Sequence, residues 1–69
     1  MELLTVAEVA EKLKINKNMV YELIKAGHIQ ALKLGSIKVT SQELQRFIGQ
    51  AQGKDFTDLK NVTELKYVI

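Results

Sequence analysis

Two short stretches near the start of the chain space their apolar residues as the buried stripe of an α-helix. The first begins directly after Thr5, which forms a capping box with Glu8. The Thr5 hydroxyl and the Glu8 carboxylate would satisfy free N–H groups of the first turn. The second lies between Asn16, a residue type that begins helices, and Gly27, a residue type that ends them. The apolar positions are Val6, Val9, Ala10 and Leu13, then Val20, Leu23 and Ile24. The pattern predicts two helices with about three residues between them, a helix-turn-helix arrangement.

The spacing changes from helical to alternating after Gly27. Residues 28–40, HIQALKLGSIKVT, alternate apolar and polar side chains imperfectly, and Gly35 and Ser36 offer a turn near the middle. We predict a hairpin of two short strands in this segment. An isolated hairpin is only marginally stable, so this one must pack against the helices.

A third amphipathic helix is predicted over residues 41–51. Thr40 and Glu43 repeat the capping box before it. Its apolar positions are Leu44, Phe47, Ile48 and Ala51. Residues 54–69 are ambiguous, because their apolar spacing suits a helix begun by Thr57 whereas VTELKYVI has strand-like composition. We favour an additional C-terminal helix of the two alternatives.

Length and composition favour a binding module over an enzyme. A chain of 69 residues buries only about 60% of its unfolded surface and leaves little room for a catalytic cavity. Cysteine is absent, and the single histidine, His28, has no nucleophile motif or carboxylate cluster beside it, so we expect neither catalysis, a metal site nor a cofactor. The acidic start and the lack of a long apolar run predict a cytoplasmic protein with no membrane association. For a binding module of this size we also expect no small-molecule substrate.

Positive charge is concentrated in the middle of the chain. Residues 12–38 contain six lysines and one acidic residue, Glu22, although the net charge of the whole chain is only +2. A basic cluster of this kind is typical of a protein that binds a polyanion, although surface lysines are more often simply hydrated. Charge alone therefore leaves both interpretations open.

The second predicted helix has a polar face opposite its apolar stripe. Positions three, four and seven residues apart share a helix face, which places Lys17, Asn18, Tyr21 and Lys25 together. Amines suit phosphates or guanine, an amide suits adenine, and a phenol can contact a phosphate, so this face suits a DNA major groove. The alternative is a hydrated surface on which the Tyr21 ring packs at the edge of the core.

Glu22 lies among these basic residues and has two interpretations. In the first, its carboxylate pairs with Lys25 or contacts Asn18 within the helix. In the second, it accepts a hydrogen bond from a cytosine amine or repels DNA bound in a wrong register. From the sequence we favour the intrahelical interpretation.

The segment from Leu4 to Ile48 resembles the excisionase-family DNA-binding domain, a MerR-like winged helix-turn-helix. The resemblance is strongest in LTV at the first helix, in VYELIKAGHI at the end of the second, and in ALKLG before the hairpin turn. Lys14 departs from the family pattern, which commonly has glycine there, so a left-handed turn at this residue would cost on the order of 1 kcal/mol. Glu22 stands where family members frequently have a basic residue.

The resemblance implies a mainly α fold with a small β-hairpin, namely a winged helix-turn-helix of three helices plus a two-stranded wing. Residues 1–53 would form this domain and residues 54–69 a C-terminal extension. The helix from Lys17 to Ala26 would be the recognition helix. The candidate DNA-binding residues are Asn16, Lys17, Asn18, Tyr21, Lys25, Lys33, Ser36 and Lys38.

The function expected from the resemblance is sequence-specific binding of double-stranded DNA. Family members include excisionases, which bind and bend attachment-site DNA and cooperate with an integrase, and also transcription regulators. A protein-binding adaptor of the same fold is a further alternative. Expected partners are double-stranded DNA, an integrase, or another copy of the chain on tandem sites. Leu65, Val68 and Ile69 form a candidate surface for the integrase, unless that segment packs on the core.

Overall fold

The computed structural model describes residues 1–66, and in this range three helices and five short strands follow one another. The helices are α1, Val6–Leu13; α2, Lys17–Lys25; and α3, Ser41–Ala51. The strands are β1, Leu3–Thr5; β2, Leu32–Leu34; β3, Ser36–Thr40; β4, Lys54–Asp55; and β5, Thr63–Glu64. The predicted winged helix-turn-helix, with its three helices and its hairpin, is confirmed.

The wing sheet contains a strand that the sequence pattern did not predict. β1 pairs antiparallel with β3, which also pairs with β2, so the strand order is β1-β3-β2. Leu4 pairs with Val39, and the N–H of Ser41 extends the pairing by donating to the carbonyl of Glu2 at 2.8 Å. A strand of three residues is too short to show an alternating pattern. Its pairing ties the wing to the start of α1.

One core holds the helices and the sheet together. Its buried residues are Leu4, Val6, Val9, Ala10, Val20, Leu23, Ile29, Val39, Leu44 and Phe47. The largest fully buried side chains come from α1, α2, the segment after α2 and β3, and they are Val9, Val20, Ile29 and Val39. The three helices, β1, β3 and the segment after α2 therefore contribute apolar surface that the others cover, which is how a chain this small can be stable without disulfides.

The turn between α1 and α2 depends on a left-handed residue. Lys14 has φ 60° and ψ 42°, and the N–H of Ile15 donates to the carbonyl of Ala10 at 3.0 Å. This bond spans six residues and is the hallmark of a Schellman motif, which normally favours glycine at the left-handed position. Asn16 then begins α2, as predicted, with its side chain accepting from the N–H of Met19 at 2.8 Å.

The second predicted capping box is only half formed. The Thr40 hydroxyl accepts from the N–H of Glu43 at 3.0 Å, but the Glu43 carboxylate accepts from the N–H of Gln30 at 2.8 Å and from Arg46. Arg46 also donates to the carbonyl of His28 at 3.1 Å. Glu43 and Arg46 therefore connect α3 to the segment that leads from α2 into the wing.

The predicted C-terminal helix is wrong for the residues that the structure describes. Residues 54–66 contain the β4–β5 pair instead. The Asp55 carboxylate accepts from the N–H of Thr57 at 2.8 Å, and the Asp58 carboxylate accepts from the N–H of Lys60 at 3.1 Å. Such local bonds compete with helix formation, which explains the difference. Phe56 packs on the core, with its ring centroid 5.4 Å from that of Phe47.

We predict that Lys14→Gly stabilises the protein. Glycine adopts the left-handed conformation without a steric penalty, so the free energy of unfolding should rise by about 0.5 to 1 kcal/mol after the entropy cost of glycine is subtracted. The matched control is Lys12→Gly in α1, which should lower it by about 0.5 to 1 kcal/mol. Urea denaturation measures both. A loss of stability in Lys14→Gly would contradict the strain at this residue.

We also predict an acid-dependent contribution from Glu43. The hydrogen bond from Arg46, together with that from the N–H of Gln30, holds the pKa of Glu43 below its ordinary value of 4.5. The folded-state pKa is the lower one, so this stabilisation is complete above the unfolded-state pKa and disappears as pH falls through the folded-state pKa.

Glu43→Gln should therefore lower the free energy of unfolding on the order of 1 kcal/mol at neutral pH. The difference from the parent protein should shrink below about pH 4.5. Denaturation at a series of pH values measures it, and Glu11→Gln on the exposed side of α1 is the control. A difference that stays constant with pH would show that the Glu43 charge is not responsible.

Candidate nucleic-acid interface

The polar face predicted for α2 is present and open to solvent. Val20 and Leu23 are 0% and 3% exposed, and they attach the helix to the core. The side chains on the other side are exposed, and they are Lys17, Asn18, Tyr21 and Lys25. Tyr21 is 49% exposed, so a large part of its side chain is available for contact.

Both ends of α2 are closed by the chain itself. At the start, the Asn16 side-chain oxygen is occupied by the N–H of Met19, so this predicted DNA contact also has a structural role. At the end, Gly27 has φ 88° and the N–H of His28 donates to the carbonyl of Leu23 at 2.9 Å, a second Schellman motif. The helix therefore has a fixed length of nine residues, Lys17–Lys25.

The wing does not bring its predicted contact residues into one cluster. Lys38 pairs with Leu32 and Lys33 pairs with Ile37, so the two lysines lie on opposite faces of the hairpin. Lys33 and Ser36 are exposed, whereas Lys38 is half-buried and donates to the Ser36 hydroxyl. Only Ser36 and Lys38 are therefore near each other.

Glu22 does not form the intrahelical pair that we favoured from the sequence. Within residues 1–66 the ion pair present joins Arg46 and Glu43, and the Glu22 carboxylate accepts no hydrogen bond from Lys25 or Asn18. Glu22 and Lys25 are both exposed, and water competes effectively with a surface pair of this kind. The lysines of α2 are equally without an acidic partner in the described part of the chain.

A groove beside the last turn of α2 brings in residues that the sequence did not single out. It is lined by Glu22, Lys25, Ala26, His28 and residues 57–60. The Nε2 atom of His28 lies 2.6 Å from the carbonyl oxygen of Leu59, and its ring meets that of Phe56 edge-on at 5.2 Å. His28 thus holds this loop against the helix. No local sequence signal predicts the placement, because it depends on contacts between residues about thirty positions apart.

Other kinds of site find little support in residues 1–66. No group of three or more histidine, aspartate or glutamate side chains in that range is placed to bind a metal ion. No helix of the described chain has the length and apolar composition needed to cross a membrane. The exposed face of α2 and the wing beside it remain the candidate site.

The fold and this face define a helix-turn-helix protein with a small wing. A family model described as a helix-turn-helix domain matches residues 3–52, more than half of the chain. The chain therefore belongs to the helix-turn-helix domain family. No curated protein and no solved structure matched the sequence.

We predict that Asn16→Ala destabilises the protein while Asn18→Ala does not. Loss of the bond from the Asn16 side chain to the N–H of Met19 should lower the free energy of unfolding by about 1 kcal/mol. Asn18 makes no such bond, so the same chemical change there should stay within about 0.5 kcal/mol. Thermal or urea denaturation measures both variants. Equal losses at the two positions would contradict the assigned cap.

Proposed function

We propose that this protein binds double-stranded DNA in a sequence-specific manner as a small excisionase-like factor. In this role it binds and bends attachment-site DNA and cooperates with an integrase as a recombination directionality factor. DNA binding follows from the helix-turn-helix family and from the exposed face of α2. The excisionase role rests on the resemblance of residues 4–48 to that family.

The observation that carries the proposal is the composition of the α2 face. Two lysines, an asparagine and a tyrosine are exposed there, and within residues 1–66 none of them is engaged in an ion pair. A major groove is wide enough to admit an α-helix, and these side chains can bond to phosphates and base edges. The first turn of α2 also directs backbone N–H groups outward, which favours a nearby phosphate.

The wing would add contacts beside the groove that α2 occupies. Ser36 and Lys38 lie on one face of the hairpin and Lys33 on the other, so the two lysines would reach DNA from opposite sides of the wing. The β1–β3 pairing and the Glu43–Arg46 bonds fix the position of the wing relative to α2. A fixed wing reduces the ordering cost of binding.

A single domain of this size is expected to bind one DNA site with only modest affinity. One helix-turn-helix unit buries roughly 600 to 1,000 Å² on DNA, at the low end of specific interfaces. A second copy on a tandem site or an integrase would supply the additional contacts. Leu65 is 48% exposed and belongs to the candidate partner surface, while Val68 and Ile69 lie outside the described residues.

The proposal is tested by gel shifts with attachment-site DNA at a series of salt concentrations, which measure how the binding affinity depends on salt. If about four lysines meet phosphates, log affinity should fall against log salt with a slope of roughly −3.6. Lys17→Ala should weaken binding and reduce the slope by about 0.9, because one counterion fewer is released. Tyr21→Ala should weaken binding with the fold intact.

The control is Lys54→Ala in β4, which should leave both affinity and slope unchanged. Lys60 is less suitable as a control, because it lines the groove beside Lys25. A flat salt response, or no shift with any duplex, would contradict DNA binding and favour a protein-binding adaptor. Footprinting with and without an integrase separates the recombination role from transcription regulation: protection confined to a promoter would contradict the excisionase role.

A further inference from the structure

Glu22 lies next to Asn18 on the α2 face, on the side that borders the 57–60 loop. Asn18, Glu22 and Lys25 follow one another at i, i+4 and i+7, the spacing of residues on one helix face. That face is opposite the buried side chains of Val20 and Leu23. An orientation of α2 that brings Asn18 to DNA therefore also brings the neighbouring Glu22 carboxylate close to it.

The carboxylate reaches this position without a partner from the protein. Glu22 is exposed, and in the described part of the chain its side chain accepts no hydrogen bond and forms no ion pair. DNA phosphates repel it, and so do the acceptor atoms that guanine and thymine present in the major groove. Binding is favourable only where a base offers a hydrogen-bond donor to it.

Two bases offer an amine in the major groove, and they are not equivalent. The adenine amine stands next to N7, an acceptor that repels a carboxylate, so the amide of a glutamine or asparagine suits adenine better. The cytosine amine has no acceptor on the same base beside it in the groove. A carboxylate beside Asn18 on this face is therefore matched by cytosine.

We propose that Glu22 is a specificity-determining residue that selects a C·G base pair, with the cytosine amine donating to its carboxylate. The inference rests on the proposed DNA-binding function of the α2 face. Four residues separate Asn18 from Glu22, about 6 Å along the helix axis. With one base pair per 3.4 Å, the selected cytosine should lie within about two base pairs of the base that Asn18 contacts.

Selection from a randomised duplex library at fixed salt tests the assignment. The parent protein should select one position as cytosine, by about tenfold over the other bases. Glu22→Gln should change the preference at that position from cytosine to adenine, because an amide pairs with the adenine amine and N7. Glu22→Ala should abolish the preference while leaving the neighbouring positions unchanged.

Glu11→Gln is the matched control, because it removes the same charge from an exposed residue of α1. It should leave the base preferences of the parent protein intact. If Glu22→Gln and Glu11→Gln change the affinity for all sequences alike, the Glu22 charge acts only by long-range repulsion of DNA. The proposal that Glu22 selects a base then fails. If the parent protein binds no duplex at all, the proposed function itself fails, and the inference fails with it.

A second measurement tests the contact from the side of the DNA. Replacing the selected cytosine by 2-pyrimidinone removes the amine and leaves the ring in place. The parent protein should lose about as much affinity from this change as from Glu22→Ala, and the two changes together should cost no more than either one. Additive losses would contradict a direct bond between the carboxylate and the amine.

Discussion

The burial of Val20 and Leu23 is the constraint on which the candidate functional surface depends. Both side chains are almost fully enclosed by the core, so α2 cannot rotate about its axis without exposing apolar surface. A fixed rotation in turn decides which residues face outward, because positions along a helix repeat every 3.6 residues. The polar face is thus a consequence of core packing, and its composition is free to vary for function without affecting the attachment of the helix.

The backbone at the two ends of α2, and not the packing of its side chains, sets the length and direction of this helix. Lys14 and Gly27 both have positive φ, and each is followed by a bond that closes a Schellman motif. Glycine adopts this conformation freely, whereas lysine does so at a cost. The chain therefore accepts backbone strain before α2 but not after it. The wing is fixed by a third device, the bonds that Glu43 and Arg46 make to residues 28–30.

The parts of the fold that could be predicted from sequence are those set by neighbouring residues. Thr5, Asn16 and Thr40 accept bonds from the N–H groups three positions ahead, so the start of each helix was visible locally. β1 and the β4–β5 pair could not be predicted in this way, because strand pairing joins residues that are distant in the sequence. The same limit applies to the candidate site. The outward face of α2 follows from helical spacing, but the placement of the 57–60 loop beside Lys25 depends on His28 and Leu59 meeting across the fold.

In the proposed DNA-binding role, the mixture of charges on α2 would separate affinity from specificity. Lysines raise affinity for any duplex, because each phosphate contact releases counterions regardless of sequence. A glutamate among the lysines lowers this general attraction to DNA. Its carboxylate is then tolerated only on sequences whose bases offer it a hydrogen-bond donor. For a small protein that must find few sites among many competing ones, the ratio of specific to non-specific binding matters more than the affinity itself. If Glu22 acts as proposed, a face that carries it beside Asn18 favours that ratio, since the repulsion weakens binding to wrong sequences more than to the right one.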